Sequence, residues 1–230
     1  MLGGRVIITG TLLSERPRAN SMLVALMGIL TILLTSQLCW RDPALYLEWA
    51  AVPAEVNENG EYYRLFTALG VHADAPHFLS NALLFGFFSY LLYGYFGFWV
   101  FPIGSLILGA LTNYFSLLTY PPEIRLVGAS GVVYLMAGFW LASYLLIERS
   151  KSIGRRIMHA VGVGLVLLMP NAFDPVVSYR THVIGFVLGT AGGLIYFVMN
   201  RDRIRAAEKI RFESESPFED YPENPGTYVS

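Results

Sequence analysis

The sequence predicts an all-α, polytopic membrane protein built as a bundle of six transmembrane helices, and three observations carry that prediction. Its 230 residues are 54% hydrophobic and only 14% charged, with a mean hydropathy of +0.49, whereas a soluble domain carries about a quarter charged residues. The apolar residues also fall into blocks rather than amphipathic stripes, and a helix needs roughly 20 of them to cross the hydrocarbon core. Finally, the cations between the blocks are sorted to one side, as membrane insertion requires.

Six blocks qualify, near residues 20–40, 77–97, 99–118, 130–147, 157–172 and 181–200. The first follows Arg5, Arg16 and Arg18, but its apolar core from Met22 to Leu38 exceeds the roughly 7–15 residues of a cleaved signal, so it reads as a retained helix. The short "YGYFGF" connection makes blocks two and three a tight hairpin. The blocks delimit a membrane domain over 20–200, with tails at 1–19 and 201–230. A single cysteine, Cys39, excludes an intrachain disulfide, and no Cys/His cluster suggests a metal. No cofactor and no nucleic-acid partner are expected.

Sorting the 16 Lys and Arg gives the topology. The N-terminal tail, the loop 148–156 and the C-terminal tail hold three, four and five of them, while the opposite loops hold only Arg41, Arg64, Arg125 and Arg180. Both termini are therefore expected in the cytoplasm, in a cell (plasma or inner) membrane, which needs an even number of crossings. Blocks two, four and six then all begin at the outer leaflet. His77 and Asn81 open block two, Ser130 opens block four and His182 opens block six, so four polar groups converge on one depth. His159 begins block five at the cytoplasmic side and cannot join them.

The outer segment Arg41–Pro76 is long for a membrane loop and mixes Trp49, Tyr62, Tyr63 and Phe66 with carboxylates, which suits the headgroup region. Within it, "EYYRLFTALG" reads as an interfacial amphipathic piece. The tail from about Ala206 is acidic, contains proline and lacks periodicity, so it is expected to be disordered.

Polar groups in hydrocarbon are costly, which makes each of these four a functional candidate. His77 and Asn81 in "HFLSN" stand at i and i+4 on one helical face. They can bind an oxyanion or simply cross-link helices, and the second use is commoner. Ser130 in "GASGVVY" sits where backbone N–H groups lack intrahelical acceptors and the helix dipole is positive, so an oxyanion formed by its attack would meet donors. Gly128 and Gly131 allow close approach; capping and small-residue packing are the structural alternative for Ser130. A serine hydroxyl is a weak nucleophile until a base takes its proton, and His182 is the available base; a satisfied core histidine is its alternative. Gly185, Gly189 and Gly193 recur every four residues after His182, a ridge that lets block six approach block four, with its Gly131 and Gly138.

Together "HFLSN", "GASGVVYLMAG" and "HVIGFVLG" resemble, in order and spacing, the HxxxN, GxSG and HxxGxxxG motifs of rhomboid intramembrane serine proteases, over roughly residues 20–200. The resemblance implies Ser130 as nucleophile and His182 as general base, a dyad without a required aspartate. It implies His77 and Asn81 at the oxyanion hole and Gly128 at the head of GxSG. It further implies Tyr134 packed on the histidine, Gly185 and Gly189 as packing glycines, and Arg64 as the first-loop arginine. Four positions depart from the pattern: Tyr63 for tryptophan, Thr181 for alanine, and Asp74 with Pro76 where apolar residues are usual. Asp74 or Asp174 could orient His182 from the outer side.

The expected activity is cleavage of transmembrane segments of membrane proteins near the outer leaflet, within the lipid bilayer and without cofactor. Two rivals remain at this level. One is a non-catalytic rhomboid-like protein that binds client helices, although such proteins usually lack the serine or the histidine. The other is a small transporter or haem-binding protein, against which the lack of repeat symmetry counts.

Overall fold

A computed structural model describes residues 5–168 and 178–213. Strand β1 (Arg5–Gly10) and a 3-10 turn at Leu12–Ser14 lead into helices α1 (Ser21–Arg41), α2 (Pro43–Trp49), α3 (Pro53–Asn57), α4 (Arg64–Thr67) and α5 (Ala75–Phe96). A π-helical turn at Trp99–Gly104 precedes α6 (Ser105–Leu117), followed by α7 (Ser130–Ile147), α8 (Ile153–Leu168), α9 (Tyr179–Met199), α10 (Arg201–Ala206) and strand β2 (Lys209–Glu213).

Local chemistry explains the boundaries. Asp42 accepts from the Ala44 and Leu45 N–H groups, with Pro43 in the first turn of α2. Asp74 accepts from the His77 N–H at 2.7 Å and so starts α5, with Pro76 just inside. Gly97, at φ +87°, ends α5 in a conformation that favours glycine, which produces the tight turn into Trp99.

Among the described residues, five helical stretches are long and apolar enough to cross a membrane: Ser21–Arg41, Ala75–Phe96, Trp99–Leu117, Ser130–Ile147 and Tyr179–Met199. Helix α7 is the centre of the bundle, 67% buried against 22% for α1 and α9. Val133, Leu135, Met136 and Ile147 of α7 are almost fully enclosed, while α1 shows Met22, Leu23, Leu26, Leu30 and Leu34 to its surroundings. An apolar outer surface of that extent is expected of a chain whose solvent is lipid.

The fifth apolar block differs from expectation. Its helix starts at Ile153 and has 16 residues, with Arg155 and Arg156 in its first turn; residues 169–172 of the block lie outside the described residues. The contacts on either side of it fix where its flanking residues lie. The end of α7 meets the tails, with Thr11 Oγ1 donating to the Glu148 carboxylate at 3.5 Å and Arg149 paired to Glu208 at 3.2 Å. The start of α9 lies at the other end of the bundle, where Ser178 Oγ bonds the Tyr120 hydroxyl just beyond α6. Glu148 and Ser178 therefore lie at opposite ends of the bundle.

The tails also require a correction. Strands β1 and β2 pair antiparallel, with Val6 opposite Phe212 and Ile8 opposite Ile210, and α10 inserts Ile204 into the core. The C-terminal segment expected to lack structure is thus ordered through Glu213; residues 214–230 lie outside the described residues. A five-residue strand whose partner is 200 positions away leaves almost no periodicity to detect in its own segment. The pairing places both ends of the described chain at one face of the bundle.

Candidate active site

The loops between α1 and α5 and before α7 form a platform first. Ala51 and Leu126 exchange backbone hydrogen bonds of 3.0 and 2.8 Å, joining the segment after α2 to the one before α7. Arg64 is buried in this platform. Its Nη1 donates to the carbonyls of Leu47, Glu48 and Ala50, and its Nε pairs with Glu61. A guanidinium has five donors and can satisfy several loop carbonyls at once, which is why one arginine organises so much backbone. Residues Tyr62–Thr67 form a short turn and α4, the helical remnant of the expected amphipathic piece.

Ser130 is the first residue of α7, directly after a turn with two backbone restraints. The Gly128 N–H donates to the Ala68 carbonyl at 3.0 Å, and the Ala129 N–H donates to His72 Nε2 at 3.3 Å. Gly128 has φ +114°, a region that disfavours side chains. A Cβ there would stand 2.9 Å from the His77 ring and 3.9 Å from Asn81 Nδ2. His77 and Asn81 therefore both lie against the turn that presents Ser130. Asn81 is buried, and its amide donates back to the His77 carbonyl at 3.1 Å.

His182 comes from α9, one turn into the helix. Ser178 caps α9 by accepting from the Thr181 N–H at 3.3 Å, and its hydroxyl lies 2.5 Å from Thr181 Oγ1. The Tyr134 ring stacks on the His182 ring, centroids 3.9 Å apart and planes 10° from parallel. His182 is 4% exposed, and its Nε2 is buried with no hydrogen-bond partner among the described residues. Tyr134 is four residues after Ser130, so the ring on which His182 stacks belongs to the residue one helical turn beyond the serine.

Backbone contact between α7 and α9 makes this closeness possible. A Cβ on Gly185 would collide with the Gly131 carbonyl oxygen, one on Gly189 with that of Leu135, and one on Gly193 would stand 2.7 Å from that of Phe139. On the facing helix, a Cβ at Gly138 would strike the Phe186 carbonyl. Thr181, the departure from the expected alanine, places its methyl 2.8 Å from where a Gly131 Cβ would be, so it fills the space that glycine leaves.

Other sequence candidates fall elsewhere. Asp74 is used as the cap of α5, and Asp174 lies outside the described residues. His159 bonds the Tyr144 hydroxyl at 3.0 Å on the tail side. No group of three or more His, Cys, Asp or Glu suited to a metal occurs among the described residues. The sequence reading missed His72. It is fully enclosed, 2.9 Å from Ser36 Oγ through Nδ1, with its carbonyl accepting from Trp40 Nε1 at 2.8 Å and its ring edge-on to His77 at 5.1 Å. Burial first, and His77 second, hold its pKa down to about 4, so the ring is neutral at pH 7. Its position five residues before His77 matches no helical face, and that hid it.

These features define the class: a multi-pass helical membrane protein in which a serine-bearing helix start, a buried histidine and a pair of polar residues meet at one end of the bundle. Comparison with known proteins narrows the class. The rhomboid domain matches residues 59–199, more than half of the chain, and the protein belongs to the rhomboid family. It is also 26% identical over 140 residues to the Bacillus subtilis (strain 168) protein named "Putative rhomboid protease YdcA". That match covers 60% of this chain and 66% of the relative, just under two thirds of its length.

Proposed function

We propose that this protein is an intramembrane serine endopeptidase that cleaves transmembrane segments of membrane proteins near the outer leaflet. One observation carries the reading: the Nε2 of His182 is buried without a hydrogen-bond partner among the described residues, on a ring stacked against Tyr134, the residue one helical turn after Ser130. An orphaned buried imidazole nitrogen is costly for a packing residue and useful to a base awaiting a proton. Family membership and the rhomboid-named relative agree with it.

In this mechanism His182 removes the Ser130 proton as Oγ attacks the scissile carbonyl. The developing oxyanion is stabilised by backbone N–H groups at the start of α7, with His77 and Asn81, which flank Gly128. Protonated His182 then serves the leaving amine, and water hydrolyses the acyl-enzyme. The substrate must offer an extended segment, because a helix shields its own carbonyls; glycine or proline lowers the cost of unwinding. The cation distribution supports a topology with both tails in the cytoplasm and the site at the outer side of a cell membrane, the apolar block near 157–172 making the sixth crossing.

The test is incubation of purified protein with a generic transmembrane substrate, wild type beside Ser130→Ala and His182→Ala. Cleavage by wild type alone is expected, with fluorophosphonate labelling of Ser130. Equal cleavage by all three would overturn the dyad. Client binding without turnover by any of them would favour the non-catalytic rhomboid-like alternative.

A further inference from the structure

A buried relay runs beneath the Gly128–Ser130 turn, and the mechanism above does not use it. It begins on α1 at Ser36, passes through His72 and ends on the Ala129 N–H. Donor and acceptor roles along it can run in only one direction. The Ala129 N–H points at Nε2, so that nitrogen carries no proton, and the proton of the neutral ring sits on Nδ1. Nδ1–H then donates to Ser36 Oγ at 2.9 Å, and the serine hydrogen goes to the carbonyl of Ile32 at 2.7 Å or of Gly70 at 3.0 Å. The other tautomer would set two N–H groups against each other in a site with no exposure.

Everything around His72 holds that ring still. Trp40 fixes its carbonyl, and His77 and Phe78 meet its ring edge-on at 5.1 and 5.6 Å. The two N–H groups just before Ser130 are thus both bound to the 68–72 loop, one by the Ala68 carbonyl and one by the His72 ring. An N-cap N–H has no acceptor within its own helix, and here an imidazole supplies one.

We propose that His72, oriented by Ser36, is a positioning residue that aims the Ser130 turn. It acts through one acceptor nitrogen on the Ala129 N–H and never touches substrate. The proposal rests on Ser130 being the nucleophile, and its consequence for rate is separable from its consequence for the backbone.

The test uses the full chain in lipid nanodiscs, with His72→Gln, His72→Asn, His72→Leu and Ser36→Ala. A glutamine carbonyl reaches the place of Nε2 and keeps the acceptor, whereas an asparagine reaches only the place of Nδ1. We expect His72→Gln to keep kcat within a few-fold, and His72→Asn and His72→Leu to lose roughly 10²-fold, the scale of a 1 Å misplacement, with KM little changed. Ser36→Ala, which frees the ring to reorient, should lose an intermediate amount. Amide exchange at Ala129 should be slow in wild type and His72→Gln and fast in His72→Asn. Nitrogen NMR of labelled histidine should show His72 as the Nδ1–H tautomer. Equal losses in the Gln and Asn variants, or losses that only track lowered melting temperature, would overturn the proposal, as would an Nε2–H tautomer. If Ser130→Ala cleaves like wild type, the nucleophile reading fails, while the exchange and NMR results still decide the restraint.

Discussion

Tyr134 on α7 and His182 on α9 stack face to face, ring centroids 3.9 Å apart and planes within 10° of parallel. A stack of that kind is worth roughly 0.5–1.5 kcal/mol beyond area burial, enough to select one histidine rotamer over its competitors. Tyr134→Phe keeps the ring and should retain substrate cleavage within a few-fold. Tyr134→Ala should lower kcat by about tenfold or more, the factor that 1.4 kcal/mol of misorientation carries. Equal activity in both variants would show that the stack does not orient the base.

The α7–α9 seam should be the most substitution-sensitive surface in the bundle. A Cβ at Gly189 falls on the Leu135 carbonyl, and neither backbone can yield without separating the helices. Gly189→Ala is expected to cost at least about 1–3 kcal/mol, as overpacking does, read as a lowered unfolding midpoint. Gly162 in α8 has nothing within 4 Å of the same added carbon among the described residues, so Gly162→Ala should be neutral or up to about 1 kcal/mol stabilising by helix propensity.

Gly128 combines φ +114° with a ring 2.9 Å from its absent Cβ. Gly128→Ala must rotate the turn, displace His77, or both. Fluorophosphonate labelling at Ser130 should fall by roughly 10²-fold on the proposed mechanism, while the melting temperature drops by only a few degrees. Full labelling would separate the turn from the chemistry.

His72 makes a prediction about acid. Its pKa is about 4 when folded against 6.5 for an unperturbed ring, because burial first and His77 second oppose the charge, while the Gly70 backbone and Asp74 favour it. Between those values the unfolded chain binds a proton that the folded chain does not, so stability should fall as pH drops from about 7 toward 4 and level off below. His72→Gln removes the titrating group and should flatten part of that slope in unfolding experiments. An unchanged slope would mean that His72 does not carry it.

Orientation can be read with single cysteines in a Cys39→Ser background, one at Glu58 and one at Phe212. Glu58 is exposed between α3 and α4, on the site's side of the bundle, and Phe212 is 70% exposed on the tail sheet. An impermeant thiol reagent applied to intact cells should label the first site, and the second only after permeabilisation. The reverse pattern would invert the proposed topology.

Much of this molecule was legible before any coordinates. Five of the six apolar blocks correspond to helices able to span, because 20-odd apolar residues are a local property that needs no partner. Asp74 with Pro76, two of the departures from the family pattern, resolve as an N-cap and first-turn proline. His72 was invisible because its role depends on Ser36, 36 positions earlier, and on Ala129, 57 positions later. The β1–β2 pair was invisible for the same reason at greater range.

The sequence by itself determined that the chain is a multi-pass bundle, and it singled out Ser130, His182, His77 and Asn81 by depth and motif. Hydropathy, charge sorting and short spacings are written along the chain, so they survive without a fold. Only the tertiary structure decided how those residues are held. Backbone contact across the Gly185–Gly189 ridge, the stack of Tyr134 on His182 and the imidazole under Ala129 are meetings of distant segments. Packing in three dimensions sets such meetings, and no local pattern encodes them.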